Sequence, residues 1–232
     1  MKQTLHRSLA AIAAALPLAV LAAAAPPAIA PSVDRVEVGG DIELEIEIAD
    51  RPAVSVTPES CAAALVWTVG DGKLELRAGA PTAGCAQRPL MVELTLQRLA
   101  ALTVHGAAEV SARGLKAPSL RVEMDGSGDV ELNDIDTEQF ELIASGSGDA
   151  TLRGRAQRQR FDLRGDGDVD ASGLRGSSAE LQASGTSDVQ LNVADTLAVR
   201  SSGSGDIRYA GSPSVDRRGV DSGSLRRRDA QS

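Results

Sequence analysis

Apolar and polar residues alternate along most of this chain with a period of two. Within 41–48, Ile42, Leu44, Ile46 and Ile48 stand against Glu43, Glu45 and Glu47, which predicts a strand with one buried and one acidic face. The same rule sets Leu120, Val122, Val130 and Leu132 against Arg121, Glu123 and Glu131. Between 102 and 210 a small turn cassette cuts these runs at regular intervals. Its copies are Gly126-Ser127-Gly128-Asp129, Gly146-Ser147-Gly148-Asp149, Gly165-Asp166-Gly167-Asp168, Gly185-Thr186-Ser187-Asp188 and Gly203-Ser204-Gly205-Asp206. With Glu109 in a degenerate first copy, the acidic residues stand 20, 20, 19, 20 and 18 positions apart. Glycine-rich turns at this spacing leave no window for three helical turns.

A second column keeps step: Leu102, Leu120, Phe140, Phe161, Leu181 and Leu197 precede the acidic residues by seven or nine positions. Each unit reads strand, tight turn, strand, and is too small to bury its own apolar face. Burying about five aliphatic side chains gives roughly 1.5 to 3 kcal/mol each, against roughly 1 to 2 kcal/mol of backbone entropy for each ordered residue. A single coil therefore fails alone and must hydrogen-bond to coils above and below it. The expected fold is all-β: a right-handed, parallel β-helix-like solenoid of about six coils of roughly 20 residues, with an N-terminal β cap.

The divisions follow from this. Residues 31–101 are read as the cap, continuous with the solenoid at 102–215. It holds strands at 33–48 around Gly39-Gly40, a short strand at 53–56, a hairpin at 65–76 turning at Gly70-Asp71-Gly72, a loop at 81–89 and a strand at 91–96. Trp67 is placed as an apolar plug, the alternative being a stacking platform for sugar. Residues 216–232 are read as a disordered basic tail, with Arg217, Arg218, Arg226, Arg227 and Arg228 among Ser, Gly and Asp. Weak contact of that tail with an anionic surface competes with a plain solvated terminus.

Composition narrows the function. The chain is 42% hydrophobic but only 2% aromatic, so its core is aliphatic and thin, as in a narrow solenoid. Residues 1–30 read as a secretion signal: Lys2 and Arg7, an apolar stretch at 9–25, and Ala28-Ile29-Ala30 as a cleavage site. Loss of Lys2 and Arg7 takes the formal net charge from −8 to −10, which argues against nucleic acid as partner. No further apolar run of spanning length follows, so no transmembrane segment is expected in the mature chain. Export to the periplasm or outer cell surface favours a disulfide between Cys61 and Cys85, the only two cysteines.

The aspartates Asp129, Asp149, Asp168, Asp188 and Asp206 would form a ladder at one corner of the rod. Their carboxylates can fix the turns by accepting backbone N–H bonds, or can recruit a weakly held cation. Neither calcium motif fits, since the β-roll nonapeptide has the wrong period and an EF-hand reading of Asp166, Asp168 and Asp170 meets Ala171 at its glycine position. No metal site and no cofactor is expected. After export His105 is the sole histidine, and no nucleophile, zinc or phosphate-loop motif occurs, so no catalytic residue is assigned.

The run 33–38, the alternation at 41–48, Gly70-Asp71-Gly72-Lys73-Leu74, the segment Leu102-Thr103-Val104-His105-Gly106-Ala107-Ala108-Glu109-Val110 and the SGSGD turns together resemble the bacterial family called putative auto-transporter adhesin, head GIN domain. The resemblance covers about 33–211. It implies an exported β-helical protein whose adhesive role rests mainly on the family's name, with no catalytic residues to carry over. The ten-residue alternating strands of an outer-membrane barrel are missing from the C-terminal part. The expected function is an exported, non-enzymatic binding module of the envelope, using acidic, Ser- and Thr-rich flanks on an unidentified polysaccharide or protein. The alternatives are a polysaccharide lyase or hydrolase with paired carboxylates, and a structural spacer.

Overall fold

Alternating sequence becomes stacked strand throughout. The computed structural model describes residues 29–80, 85, 89–219 and 225–228. Its strands are β1 (Arg35–Gly39), β2 (Ile42–Ile48), β3 (Ala53–Thr57), β4 (Leu65–Gly70), β5 (Lys73–Ala78), β6 (Leu90–Leu96), β7 (Ala101–Gly106) and β8 (Glu109–Arg113). There follow β9 (Lys116–Gly126), β10 (Val130–Gly146), β11 (Ala150–Gly165), β12 (Val169–Gly185), β13 (Val189–Ser201), β14 (Ile207–Ala210), β15 (Ser214–Arg218) and β16 (Leu225–Arg227). One 3₁₀ turn, Glu59–Ala64, lies between β3 and β4. The protein is an all-β solenoid of about six turns, and from β7 onward its strand pairing is parallel.

Two further levels lie beneath those turns, in the segment expected to be a cap. Strand β1 runs parallel to β5 on one side and β7 on the other, while β2 runs parallel to β6 and β8. The first strands in sequence are therefore interior to the stack. The chain leaves them, builds the outer level β5–β6, and returns past them to β7. Antiparallel pairing is confined to β3 on β6 and β4 on β5, which close the N-terminal end. Of the expected leader, Ile29 and Ala30 alone lie among the described residues, and Ile29 is buried in the core.

Two expectations are corrected. The single inner column of leucines and phenylalanines is two columns. Leu102, Val122, Leu142, Phe161, Leu181 and Val199 stand in register, beside Leu120, Phe140, Gln159, Ala179 and Leu197. A slip of two residues keeps a side chain on the same face, so periodicity cannot tell the columns apart. Phe140 and Phe161 still meet diagonally, with ring centroids 6.1 Å apart.

The disordered tail is the second correction. Expected from 216, it instead contains the end of β15, paired with β13, and all of β16, paired with β14. The exposed edge of the last full coil offers unpaired N–H and C=O groups, and satisfying them orders a chain of low intrinsic strand propensity. Leu225 adds to this by continuing the inward column Val169, Val189 and Ile207, where it is buried.

Candidate functional site

The corner built by the turn cassette is the most regular part of the molecule. Its first glycines, Gly106, Gly126, Gly146, Gly165, Gly185 and Gly203, lie one over another so closely that a Cβ on Gly146 would stand 2.0 Å from the carbonyl oxygen of Gly126. Beside them the aspartates form a zipper. The amide of Asp149 donates to Oδ1 of Asp129 at 2.8 Å, Asp168 to Asp149 at 2.8 Å, Asp188 to Asp168 at 2.9 Å and Asp206 to Asp188 at 2.7 Å. In return each aspartate carbonyl accepts the amide of the residue after the preceding aspartate, as in Val130 N–H to Asp149 O at 2.9 Å. One oxygen of each of the first four carboxylates is thus engaged by backbone. Among the described residues no group of three or more His, Cys, Asp or Glu is arranged to hold a metal ion.

The flank beside this corner carries the molecule's main polar surface. Strands β9 to β13 present an outward column in which charge alternates from level to level: Arg121, Glu141, Arg160 and Glu180. Arg121 pairs with Glu141, Arg160 with Glu141 at 3.5 Å and Glu180 at 2.8 Å, and Arg200 with Glu180 at 3.6 Å. A shallow groove runs alongside, lined by Ser119, Gln139, Arg158, Ser178 and Thr196. The expected acidic flank is in this part a mixed one. Strand β10 carries five carboxylates and no base, and β11 stacked on it carries five arginines and one carboxylate. The signal was in the sequence as opposite charges about one period apart, but it needs the register to be read.

The remaining singled-out residues disperse. Cys61 and Cys85 are disulfide-bonded, Cα to Cα 5.8 Å, at the N-terminal end where Trp67 packs half-buried against the core. The flanking residues of Cys85, 81–84 and 86–88, lie outside the described residues. His105 is half-exposed on β7, with Nε2 3.8 Å from Glu37. The hydrogen bond from Lys73 Nζ at 2.8 Å holds the Glu37 carboxyl below its ordinary value, against partial burial that pushes it up. Arg77 Nη2 also meets Glu37 at 3.0 Å, so the cluster is an ion-pair network around that carboxylate.

Comparison with known proteins places this geometry. A family profile described as putative auto-transporter adhesin, head GIN domain matches residues 33–213. A crystal structure of a putative adhesin from Bacteroides fragilis superimposes with a TM-score of 0.74 at 20% identity, covering 84% of this chain and 91% of that one. A putative lipid binding protein from Parabacteroides distasonis gives 0.67 at 21% identity, covering 84% and 92%. A putative adhesin from the same organism gives 0.64 at 22% identity, covering 87% and 94%. A search of curated proteins gives no match. At these identities the structural likeness speaks for the fold.

Proposed function

Because the chain belongs to the putative auto-transporter adhesin, head GIN domain family, matched over residues 33–213, we propose that it is an exported, non-enzymatic binding module of the cell envelope. The observation that carries this reading is the β9–β13 flank. Five consecutive levels hold their polar side chains on a backbone locked by parallel pairing, and the groove along Gln139, Arg158 and Ser178 crosses them without interruption. Repeat proteins bind through such extended faces, where many modest polar contacts add up without ordering a loop. The partner this suits is an extended polar chain, a polysaccharide or a protein segment.

The same flank argues against hydrolysis. A glycoside hydrolase needs one carboxyl kept protonated and a second kept ionised across the bond. Both carboxylate oxygens of Glu141 and both of Glu180 are engaged by arginines, so the two acids are tied into the ion-pair column and not left free as a pair.

Capture from envelope extract tests the proposal, with the wild-type chain compared with Gln139→Ala/Arg158→Ala. The expected result is a polysaccharide or protein retained by the wild type and reduced about tenfold or more in the variant, since interface side chains that matter contribute over ~1 kcal/mol each. Equal retention by both proteins removes the flank from the binding surface.

A further inference from the structure

We propose that the C-terminal end of the rod is a docking plate for an anionic phospholipid surface, on which the molecule stands end-on. The inference concerns a different surface from the flank and stands without it.

The arginines expected in a loose tail are fixed by the strands that close the stack. Arg217 continues the inward column Phe161, Leu181, Val199, and Arg227 follows Leu191 and Tyr209. Among the described residues no coil lies above an inward position of this last level. The aliphatic stem can therefore lie over the core while the guanidinium reaches water. Arg217 Nη2 donates to the Leu225 carbonyl at 2.8 Å and Arg227 Nη2 to Ser212 Oγ at 2.8 Å. Around this centre Arg218, Arg226 and Arg228 point outward, and all five are exposed.

What marks this end is a cluster of arginines without carboxylate partners among the described residues; on the rod Arg153 and Arg175 likewise have no ion pair, but they lie among neutralised ones. On the flank Arg121, Arg155, Arg158, Arg160 and Arg164 each meet a carboxylate. At the end only Arg218 does, with Asp216 at 3.0 Å. Among the described residues Arg217, Arg226, Arg227 and Arg228 meet none. The imbalance holds for the whole sequence: residues 31–196 carry 28 acidic and 15 basic side chains, net −13, whereas residues 197–232 carry 4 and 7, net +3.

A polar rod of this kind has one end attracted to a negative surface and a body repelled by it. At about 0.1 M salt the Debye length is about 10 Å, roughly two levels at a strand spacing of about 4.8 Å. The repulsive body is screened when the end touches, and the attraction of the end is felt in full. Several exposed guanidiniums spread over two strands suit many lipid phosphates in a plane better than one bound phosphate. A second copy continuing the stack is the rival occupant. The inward arginines oppose it, because they put charge where an incoming coil needs an apolar side chain.

The test is co-sedimentation of the full chain with phosphatidylcholine vesicles, with and without a minority of phosphatidylglycerol, at low and high salt. The expected result is binding that requires phosphatidylglycerol and is lost at high salt. It should weaken by about a hundredfold in Arg218→Gln/Arg226→Gln/Arg228→Gln, from about fivefold for each arginine near the surface. These three side chains point away from the core, and an unchanged melting temperature confirms the fold. Should the variant fail to fold, the lipid and salt dependence of the wild type decides alone. Equal binding to both vesicles, retention at high salt, or full binding by the folded variant overturns the proposal. So does displacement by inorganic phosphate at matched phosphate concentration, or self-association without vesicles that the variant abolishes.

Discussion

At the scale of single residues, stacking makes glycine a steric requirement in the first position of the turn cassette. Gly126, Gly146 and Gly185 have positive φ, and a Cβ at any of them would lie 2.0 to 2.2 Å from the carbonyl oxygen one level below. The third position of the cassette is equally crowded at Gly128, Gly148, Gly167 and Gly205, where a Cβ would lie 1.9 to 2.1 Å from a carbonyl oxygen, yet two copies carry a side chain there. Ala108 and Ser187 occupy it, and Ser187 turns its hydroxyl onto the Gly165 carbonyl at 3.0 Å. Gly146→Ala is therefore expected to destabilise the protein by about 3 kcal/mol, combining steric overlap with a strained φ. Gly70→Ala, with no atom within 4 Å of the added methyl, should stay within about 0.5 kcal/mol of wild type. Urea unfolding followed by circular dichroism measures both. The glycines were legible as turns, but their crowding was not, since it depends on the level below.

At the scale of elements, each coil is held to the next by a corner zipper and a charge match. The zipper converts four of the five like charges into backbone acceptors, and each carboxylate from Asp129 to Asp188 receives the amide of its successor. Removing one such acceptor leaves the amide above it without its partner. Asp168→Ala is expected to cost about 1 to 2 kcal/mol, and Asp168→Asn, which keeps an oxygen in place, less than half of that. Millimolar calcium should leave the melting temperature of the wild type unchanged, because one oxygen of each of the first four carboxylates already accepts a backbone amide. A rise of several degrees would assign the ladder to a cation instead. The charge match works between strands. Arg155, Arg158 and Arg160 on β11 pair with Asp136, Glu138 and Glu141 on β10, so a coil shifted by one residue would lose these partners as well as its apolar face. The alternating columns could be seen in the sequence only as unassigned charges, because Arg160 follows Glu141 by 19 positions and precedes Glu180 by 20.

For the whole molecule, the central problem is ending a stack that could otherwise continue. The N-terminal end is closed by reversing direction, with β3 and β4 antiparallel and the 3₁₀ turn between them. The C-terminal end is closed by charge, with Arg217 and Arg227 in the inward columns. Arg217→Leu/Arg227→Leu should restore an apolar end and raise the concentration-dependent association of the protein above that of the wild type, read by light scattering after gel filtration. A double variant that keeps the wild-type size would show that the backbone edges alone resist stacking. The basic end also makes the rod electrically polar, and that polarity follows from where the last coil stops.

The sequence by itself determined the kind of stack. Period-two alternation and a turn every 18 to 20 residues leave a solenoid as the arrangement that buries each coil's apolar face, and the same spacing put the aspartates on one edge. Only the tertiary structure decided which inward residue lies on which, because a slip of two preserves every side-chain direction and costs nothing that local pattern can register. It also decided that β1 and β2 lie inside the stack and that Arg217, Arg218, Arg226 and Arg227 stand on paired strands. Both outcomes depend on unpaired backbone groups at a sheet edge, and those groups exist only once the neighbouring coil has formed.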